Sequence, residues 1–284
     1  LCDGAIKKKI GFGECSVFAS GGAPLAPKIR ETFAALNMPI VDAYGMSETA
    51  GALAVSRPNN FVPNACGPVV MGSEIMINHV DGRDAPNEGE ICYRGRMAMM
   101  GYINELEKTK KTFDDEGFIH TGDIGYIDKY DCLHITGRIK ELLVTAGGEN
   151  IAPVPVENFI KKLCPALSQA IMIGDKKKYC SMIVSIACEE GEDGIPTNEL
   201  QAHAKLVNPN VNTVEQAMND QIWFEYIREG IKEYNSDKER CQSNSCRIQY
   251  FQILHKDLCV PDGTLAASLK VKRHKLYDVY KKEM

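Results

Sequence analysis

Apolar residues recur at helical spacing at Leu25, Ile29, Phe33 and Leu36, between two short apolar runs at 15–19 and 40–43. That pattern predicts strand, helix and strand in about thirty residues, the order of a βαβ unit in a parallel sheet. Ligands of such sheets gather at the carboxyl ends of the strands. Both glycine-containing turns, Ser20-Gly21-Gly22-Ala23-Pro24 and Tyr44-Gly45, fall there. From 73 to 95 the period shortens to two, predicting strands at 74–78 and 90–93 around a turn-rich stretch, 81–89, with two more strands flanking 128–131 and ending at Thr136. This reads as a small β subdomain.

A different unit follows Arg138: a strand near 142–145, the loop Ala146-Gly147-Gly148, and a helix to Leu163 with Pro155 in its first turn. Strands are predicted at 170–173 and 182–186, and helices near 198–207 and 221–234, the latter burying Ile222, Ile227 and Ile231. Residues 189–197 read as a polar loop. There is no internal repeat.

Composition narrows the class. With 284 residues, 44% hydrophobic and 25% charged, the chain suits about two folded domains and is too apolar for general disorder. A net charge of -5 argues against nucleic-acid binding, which needs a surplus of Lys and Arg on one face. The basic stretch 270–282 reads as a solvated helix face. Eleven cysteines with no CxxC pair signal neither a zinc site nor a disulfide framework; Cys241 and Cys246 come nearest to a pair, and reduced thiols are expected. No apolar run approaches the roughly eighteen residues of a membrane span, so no transmembrane segment is expected. The chain opens on Leu1 rather than methionine, which suggests that the start of a longer protein is missing.

Four segments carry candidate chemistry. Gly21 and Gly22 let backbone approach a ligand, although a plain strand-to-helix turn has the same letters. Tyr44-Gly45-Met46-Ser47-Glu48-Thr49 combines a ring that can stack on a base, a hydroxyl for phosphate and a carboxylate for Mg²⁺; a strand end capped by Ser47 or Thr49 is the alternative. Thr121-Gly122-Asp123 offers a carboxylate of the kind that grips ribose hydroxyls. Gly137-Arg138-Ile139-Lys140-Glu141 adds an arginine suited to phosphate at the junction of the two units, with surface charge as the simpler reading.

In this order, SGGAPL (20–25), DAYGMSETAG (42–51), GEICYRG (89–95), GYINELEKT (101–109), GFIHTGDIGYID (117–128) and GRIKELLVTAGGENIAPVPVE (137–157) resemble the adenylate-forming superfamily of acyl-CoA synthetases, luciferases and peptide-synthetase adenylation domains. The Pro-Val-Pro run is similar to that of bubblegum-type long-chain acyl-CoA synthetases. The resemblance implies an α/β fold: the rear part of a large adenylation domain (1–137, parallel sheet plus a β subdomain at about 66–137), followed by a smaller, mobile α+β domain (138–284).

It also implies an acid:thiol ligase that joins a fatty acid to CoA through an acyl-adenylate, with ATP, Mg²⁺ and CoA. Gly21, Gly22, Ala23, Tyr44 and Gly45 would line the adenine pocket, Ser47 would meet phosphate, and Glu48 would be catalytic and hold Mg²⁺. Asp123 would bind ribose and Arg138 ribose or phosphate. Lys140 would be the hinge, and Gly147, Gly148 and Glu149 would line the CoA tunnel. The family's Gly-Lys pair is absent; Lys270, three residues before Arg273, would be the catalytic lysine as first choice, with Lys272 second. The phosphate loop ending in Pro-Lys-Gly occurs nowhere in the 284 residues, so the chain alone is expected to be inactive. Binding of AMP or CoA without turnover, or ligation of a different carboxylic acid, are the alternatives. A cytoplasmic enzyme is implied; the apolar substrate leaves room for peripheral contact with the endoplasmic reticulum membrane.

Overall fold

After a short helix, α1 (Asp3–Lys9), the two early apolar runs pair side by side. Strands β1 (Phe18–Gly21) and β2 (Ile40–Met46) are parallel, with Phe18 opposite Ile40 and Gly21 opposite Ala43, and helix α2 (Pro27–Ala35) crosses between them. These elements belong to a computed structural model that describes every residue except 1, 2, 23, 24, 26, 58–61, 63, 64, 268 and 281–284. Strand β1 begins at Phe18 rather than near residue 15. One step earlier in register Val17 would face Pro39, whose nitrogen has no proton for a ladder. Strand β3 (Gly51–Val55) then joins β2 antiparallel, so this sheet is mixed rather than wholly parallel. A buried Arg30–Asp42 ion pair ties α2 to β2.

Downstream lies a five-stranded antiparallel sheet in the order β4-β8-β7-β6-β5. Its strands are β4 (Gly67–Pro68), β5 (Ser73–Asn78), β6 (Gly89–Gly95), β7 (Ile119–Ile127) and β8 (Cys132–Arg138), with helix α3 (Leu106–Thr112) between β6 and β7. Tyr44, Leu53 and Ala54 from the first sheet pack with Ile91, Tyr93, Ile119 and Leu133 from the second, so one core serves both.

The chain divides into two units at Lys140/Glu141. The second opens with a hairpin of β9 (Leu143–Val144) and β10 (Asn150–Ile151), followed by α4 (Pro153–Leu163). Strands β11 (Leu167–Ile173) and β12 (Cys180–Ile186) come next, then β13 (Cys188–Glu190), β14 (Pro196–Leu200), α5 (Val214–Met218), α6 (Gln221–Ser236), β15 (Ile248–Ile253) and α7 (Arg273–Val279). The sheet order is β11-β12-β15. Strand alternation sends Met172, Met182 and Val184 into a core with α4 and α6, and Ile171, Ile173 and Ile183 into a second core with Leu276 and Tyr280. Both faces are covered, which is why these strands read as unbroken apolar runs.

Three expectations change. Residues 198–207 are not a helix: β14 pairs with β13, which also occupies part of the supposed polar loop, and only a 3₁₀ turn (Ala204–Leu206) follows. Leu206 is exposed, so no helical apolar stripe exists there to bury. In α6 Ile227 and Ile231 are buried as expected, but Ile222 is exposed and Trp223 takes its place in the stripe, which Tyr234 continues. The basic C-terminal stretch is not simply solvated, since α7 buries Leu276 and Arg273 is largely covered. The ten described cysteines are free thiols. Among the described residues no helix is long and apolar enough to cross a membrane.

Arg273 donates to both oxygens of buried Glu157 at 2.7 Å, and the Met172 N–H reaches the same carboxylate at 2.7 Å. Glu157→Ala strands a covered guanidinium and a backbone donor. It is expected to lower the stability of the second unit by about 3–5 kcal/mol. The fluorescence of Trp223, the single tryptophan and fully buried in that unit, followed through urea denaturation, measures it.

Candidate active site

The parallel pairing of β1 and β2 brings their carboxyl ends together, so Gly21 and Gly22 end one strand beside the Ala43-Tyr44-Gly45 end of the other. Ala23 lies outside the described residues. Gly45 has a packing reason of its own: a Cβ there would stand 2.0 Å from the Gly51 carbonyl oxygen and 2.7 Å from Ala52 Cα, where β3 crosses close against β2. Thr49 is buried, its hydroxyl bonded within the 3₁₀ turn to the Met46 and Gly51 carbonyls, whereas Ser47 is exposed.

Tyr44, at 8% exposure, is buried in the shared core and donates its hydroxyl to Asp123 Oδ2 at 2.8 Å. Arg138 Nε lies 2.7 Å from Asp123 Oδ1. Three expected nucleotide residues therefore converge from β2, β7 and β8. The Asp123 carboxylate is buried, while Arg138 is about half exposed. A carboxylate offers roughly four acceptor sites. Tyr44 and Arg138 take one on each oxygen, leaving acceptor capacity on both for a pair of hydroxyls. Burial, and next the Asp123 charge, push the Tyr44 phenol well up from its ordinary value.

The bulged stretch of β7 that carries Asp123 is held by β6. Gly122 adopts φ +73, a left-handed conformation suited to glycine, and its N–H donates to Glu90 Oε1 at 3.0 Å. The Thr121 hydroxyl donates to the Ile91 carbonyl at 2.6 Å and accepts from the Asp123 N–H at 3.1 Å.

Glu48, on the turn after β2, accepts the Tyr102 hydroxyl on Oε1 at 2.7 Å, and its own carbonyl receives the Met99 N–H. That bond, together with burial, raises the Tyr102 phenol. One partly exposed carboxylate with an oxygen to spare fits Mg²⁺, a hard cation held by one or two carboxylates and substrate phosphates. Tyr102 was not among the expected site residues. The segment GYINELEKT contains it, but a tyrosine 54 residues from its partner gives no local signal.

The other expected residues lie at or beyond the division between units. Lys140 is exposed, on the 3₁₀ turn Ile139–Glu141. Gly147, Gly148 and Glu149 form the tip of the β9–β10 hairpin, closed by Thr145 N–H to the Glu149 carbonyl at 3.0 Å. Donors from Ser243, Ser245 and Cys246 hold Glu149 below the usual carboxylate range. Lys270 is exposed and Lys272 is the N-cap residue of α7; Arg273 is committed to Glu157.

This architecture is shared with solved structures at low sequence identity. The fold matches the ATP-bound RpMatB-BxBclM chimera B3 with a TM-score of 0.70 (24% identity, 97% of this chain, 47% of that one). It also matches the anthranilate CoA ligase AuaEII in complex with anthranoyl-AMP, with a TM-score of 0.66 (18% identity, 94% and 45%). Residues 4–103 match the AMP-binding enzyme family and residues 140–255 the AMP-binding enzyme C-terminal domain. The chain belongs to the AMP-binding enzymes. Among curated relatives it is 37% identical over 286 aligned positions to the long-chain-fatty-acid--CoA ligase ACSBG2 of Xenopus laevis, covering 98% of this chain and 38% of that protein. The chain thus spans about two fifths of the length of the relatives it matches.

Because the Tyr44 phenol is raised on folding, its contribution to stability is whole below the ordinary value of 10.0 and is lost as pH climbs above it. Tyr44→Phe is expected to cost about 1.5–3 kcal/mol at neutral pH, the scale of a hydrogen bond to a charged group. The variant's alkaline stability curve, followed by circular dichroism, is expected to be flatter than that of the wild type above pH 10.

Proposed function

We propose that this chain supplies the ribose-binding, metal-binding and thioester-forming parts of an ATP-dependent long-chain fatty acid:CoA ligase. In the first step a fatty acid carboxylate oxygen attacks the α-phosphorus of ATP, giving acyl-AMP and pyrophosphate. In the second the CoA thiol attacks the acyl carbon, AMP departs, and the thiol proton is released. The name of the relatives supports the substrate class. The observation that carries the reading is the Asp123 carboxylate, held by Tyr44 and Arg138 with acceptor sites still open.

On this reading Asp123 accepts from the ribose hydroxyls, and Arg138, half exposed, reaches ribose or phosphate. Tyr44 keeps Asp123 in place and backs the adenine pocket with Gly21, Gly22 and Gly45, while Ser47 meets phosphate. Glu48, steadied by Tyr102, holds Mg²⁺, which when bound neutralises phosphate charge. Lys270, with Lys272 as second choice, stabilises charge at the carboxylate and α-phosphate. Lys140 is the hinge, and Gly147, Gly148 and Glu149 line the pantetheine path.

Calorimetric titration of the chain with AMP and with 2′,3′-dideoxy-AMP tests the central claim. AMP is expected to bind at least about tenfold more tightly, the 1.4 kcal/mol of roughly one charge-assisted hydrogen bond. Asp123→Ala is expected to abolish that difference while retaining the weaker binding. Equal binding of both nucleotides by the wild type would remove Asp123 from the ribose site. For the full-length ligase, Lys270→Ala is expected to slow fatty-acid-dependent exchange of pyrophosphate into ATP by about 10²–10³. Thioester formation from supplied acyl-AMP is expected to continue, and exchange at the wild-type rate would reject Lys270.

A further inference from the structure

Beneath the Asp123 turn, three side chains of different chemistry converge on a face of the antiparallel sheet. Glu90 and Cys92 are two residues apart on β6, which puts them on one face, and the strand register sets Cys92 directly opposite His120 of β7. His120 Nδ1 is 2.8 Å from Glu90 Oε2 and 3.6 Å from Cys92 Sγ, and all three donor atoms lie within 4.8 Å of one another. Glu90 and Cys92 are buried, and the His120 side chain is 28% exposed. The far ring nitrogen, Nε2, faces Asp114 Oδ2 at 3.7 Å, and the other oxygen of Asp114 is fixed by the N–H groups of Glu116 and Phe118. A metal-bound histidine commonly gives its second N–H to such a carboxylate. The adjacent cation, Arg83, is spent on Asp84 at 2.7 and 2.8 Å.

We propose that Glu90, Cys92 and His120 form a binding site for a zinc-like divalent transition metal, separate from any Mg²⁺ at Glu48. Thiolate, imidazole and carboxylate together suit Zn²⁺ or Co²⁺ and do not suit Mg²⁺. Three protein ligands leave a fourth position for water on the exposed side. The metal replaces the thiol proton of Cys92, which goes to solvent. The His120 proton moves from Nδ1 to Nε2, towards Asp114, so that the Nδ1 lone pair is free to bind. Glu90 binds through Oε2 and keeps its Gly122 bond on Oε1. Nothing in this inference depends on the nucleotide reading.

Titrating the metal-stripped chain with Co²⁺ alone tests it. One equivalent is expected to give a thiolate-to-cobalt charge-transfer absorption that Zn²⁺ abolishes. Cys92→Ala and His120→Ala are expected to lose it, Cys241→Ala and Cys246→Ala to keep it, and Asp114→Asn to weaken binding about 10–100-fold. X-ray absorption at the zinc edge on the wild type needs no variant to fold and is expected to show one sulfur with nitrogen and oxygen neighbours. A charge-transfer band that survives Cys92→Ala, a zinc shell with no sulfur or with several, or no binding of either metal would overturn the site.

Discussion

The first unit turns on one buried carboxylate. Asp123 sits in the antiparallel sheet, yet one of its oxygens is held by Tyr44 from the mixed sheet, 79 residues earlier, and the other by Arg138 on the neighbouring strand. A buried anion needs hydrogen-bonding or ionic partners to be tolerated. The bond that meets this need also locks the carboxyl end of β2 against the β7 turn. The glycine-lined strand ends and the carboxylate therefore hold a fixed spacing. Gly45 serves the same end, because any side chain there would force β3 off β2 and move the Tyr44 ring with it.

The second unit relies on the same device in a different place. Glu157 of α4 accepts from Arg273 at the start of α7 and from the Met172 backbone of β11, bridging 116 residues of chain. The basic residues 270–273 are thereby fixed at their Arg273 end although the lysines themselves are solvent-facing or half-covered. The arginine near the candidate lysine thus has a structural duty, and the separation of duties is physical. A guanidinium can fork onto a carboxylate in a covered site, whereas an ammonium is a compact point charge on a flexible stem.

Local periodicity made the strand-helix-strand start, the antiparallel strands and α6 legible, although on α2 Ile29 stays exposed and Arg30 is buried instead. It failed at 198–207, where β14 takes the first residues and a 3₁₀ turn the later ones, and at Ile222, where the neighbouring Trp223 packs into the core instead. The site was legible as ordered segments but not as geometry. That Tyr44 and Arg138 share Asp123, that Tyr102 serves Glu48 and that Arg273 is committed to Glu157 are long-range facts without any local signature. Cysteine spacing likewise carries no trace of the contact between Cys92 and a histidine 28 residues away across a strand pair.

Glu90 shows why these long-range bonds matter to chemistry and not only to stability. One of its oxygens accepts from His120 and the other from the Gly122 N–H, so a single rigid carboxylate links the Glu90, Cys92 and His120 cluster to the turn that carries Asp123. That carboxylate lies 2.8 Å from the histidine nitrogen and 3.0 Å from the glycine N–H, so the cluster and the Asp123 segment share one anchor on β6. Thr121, the residue before Gly122, is tied to Ile91 on the same strand, β6. Two bonds from β6, one to Gly122 and one to Thr121, therefore place the residues just before Asp123.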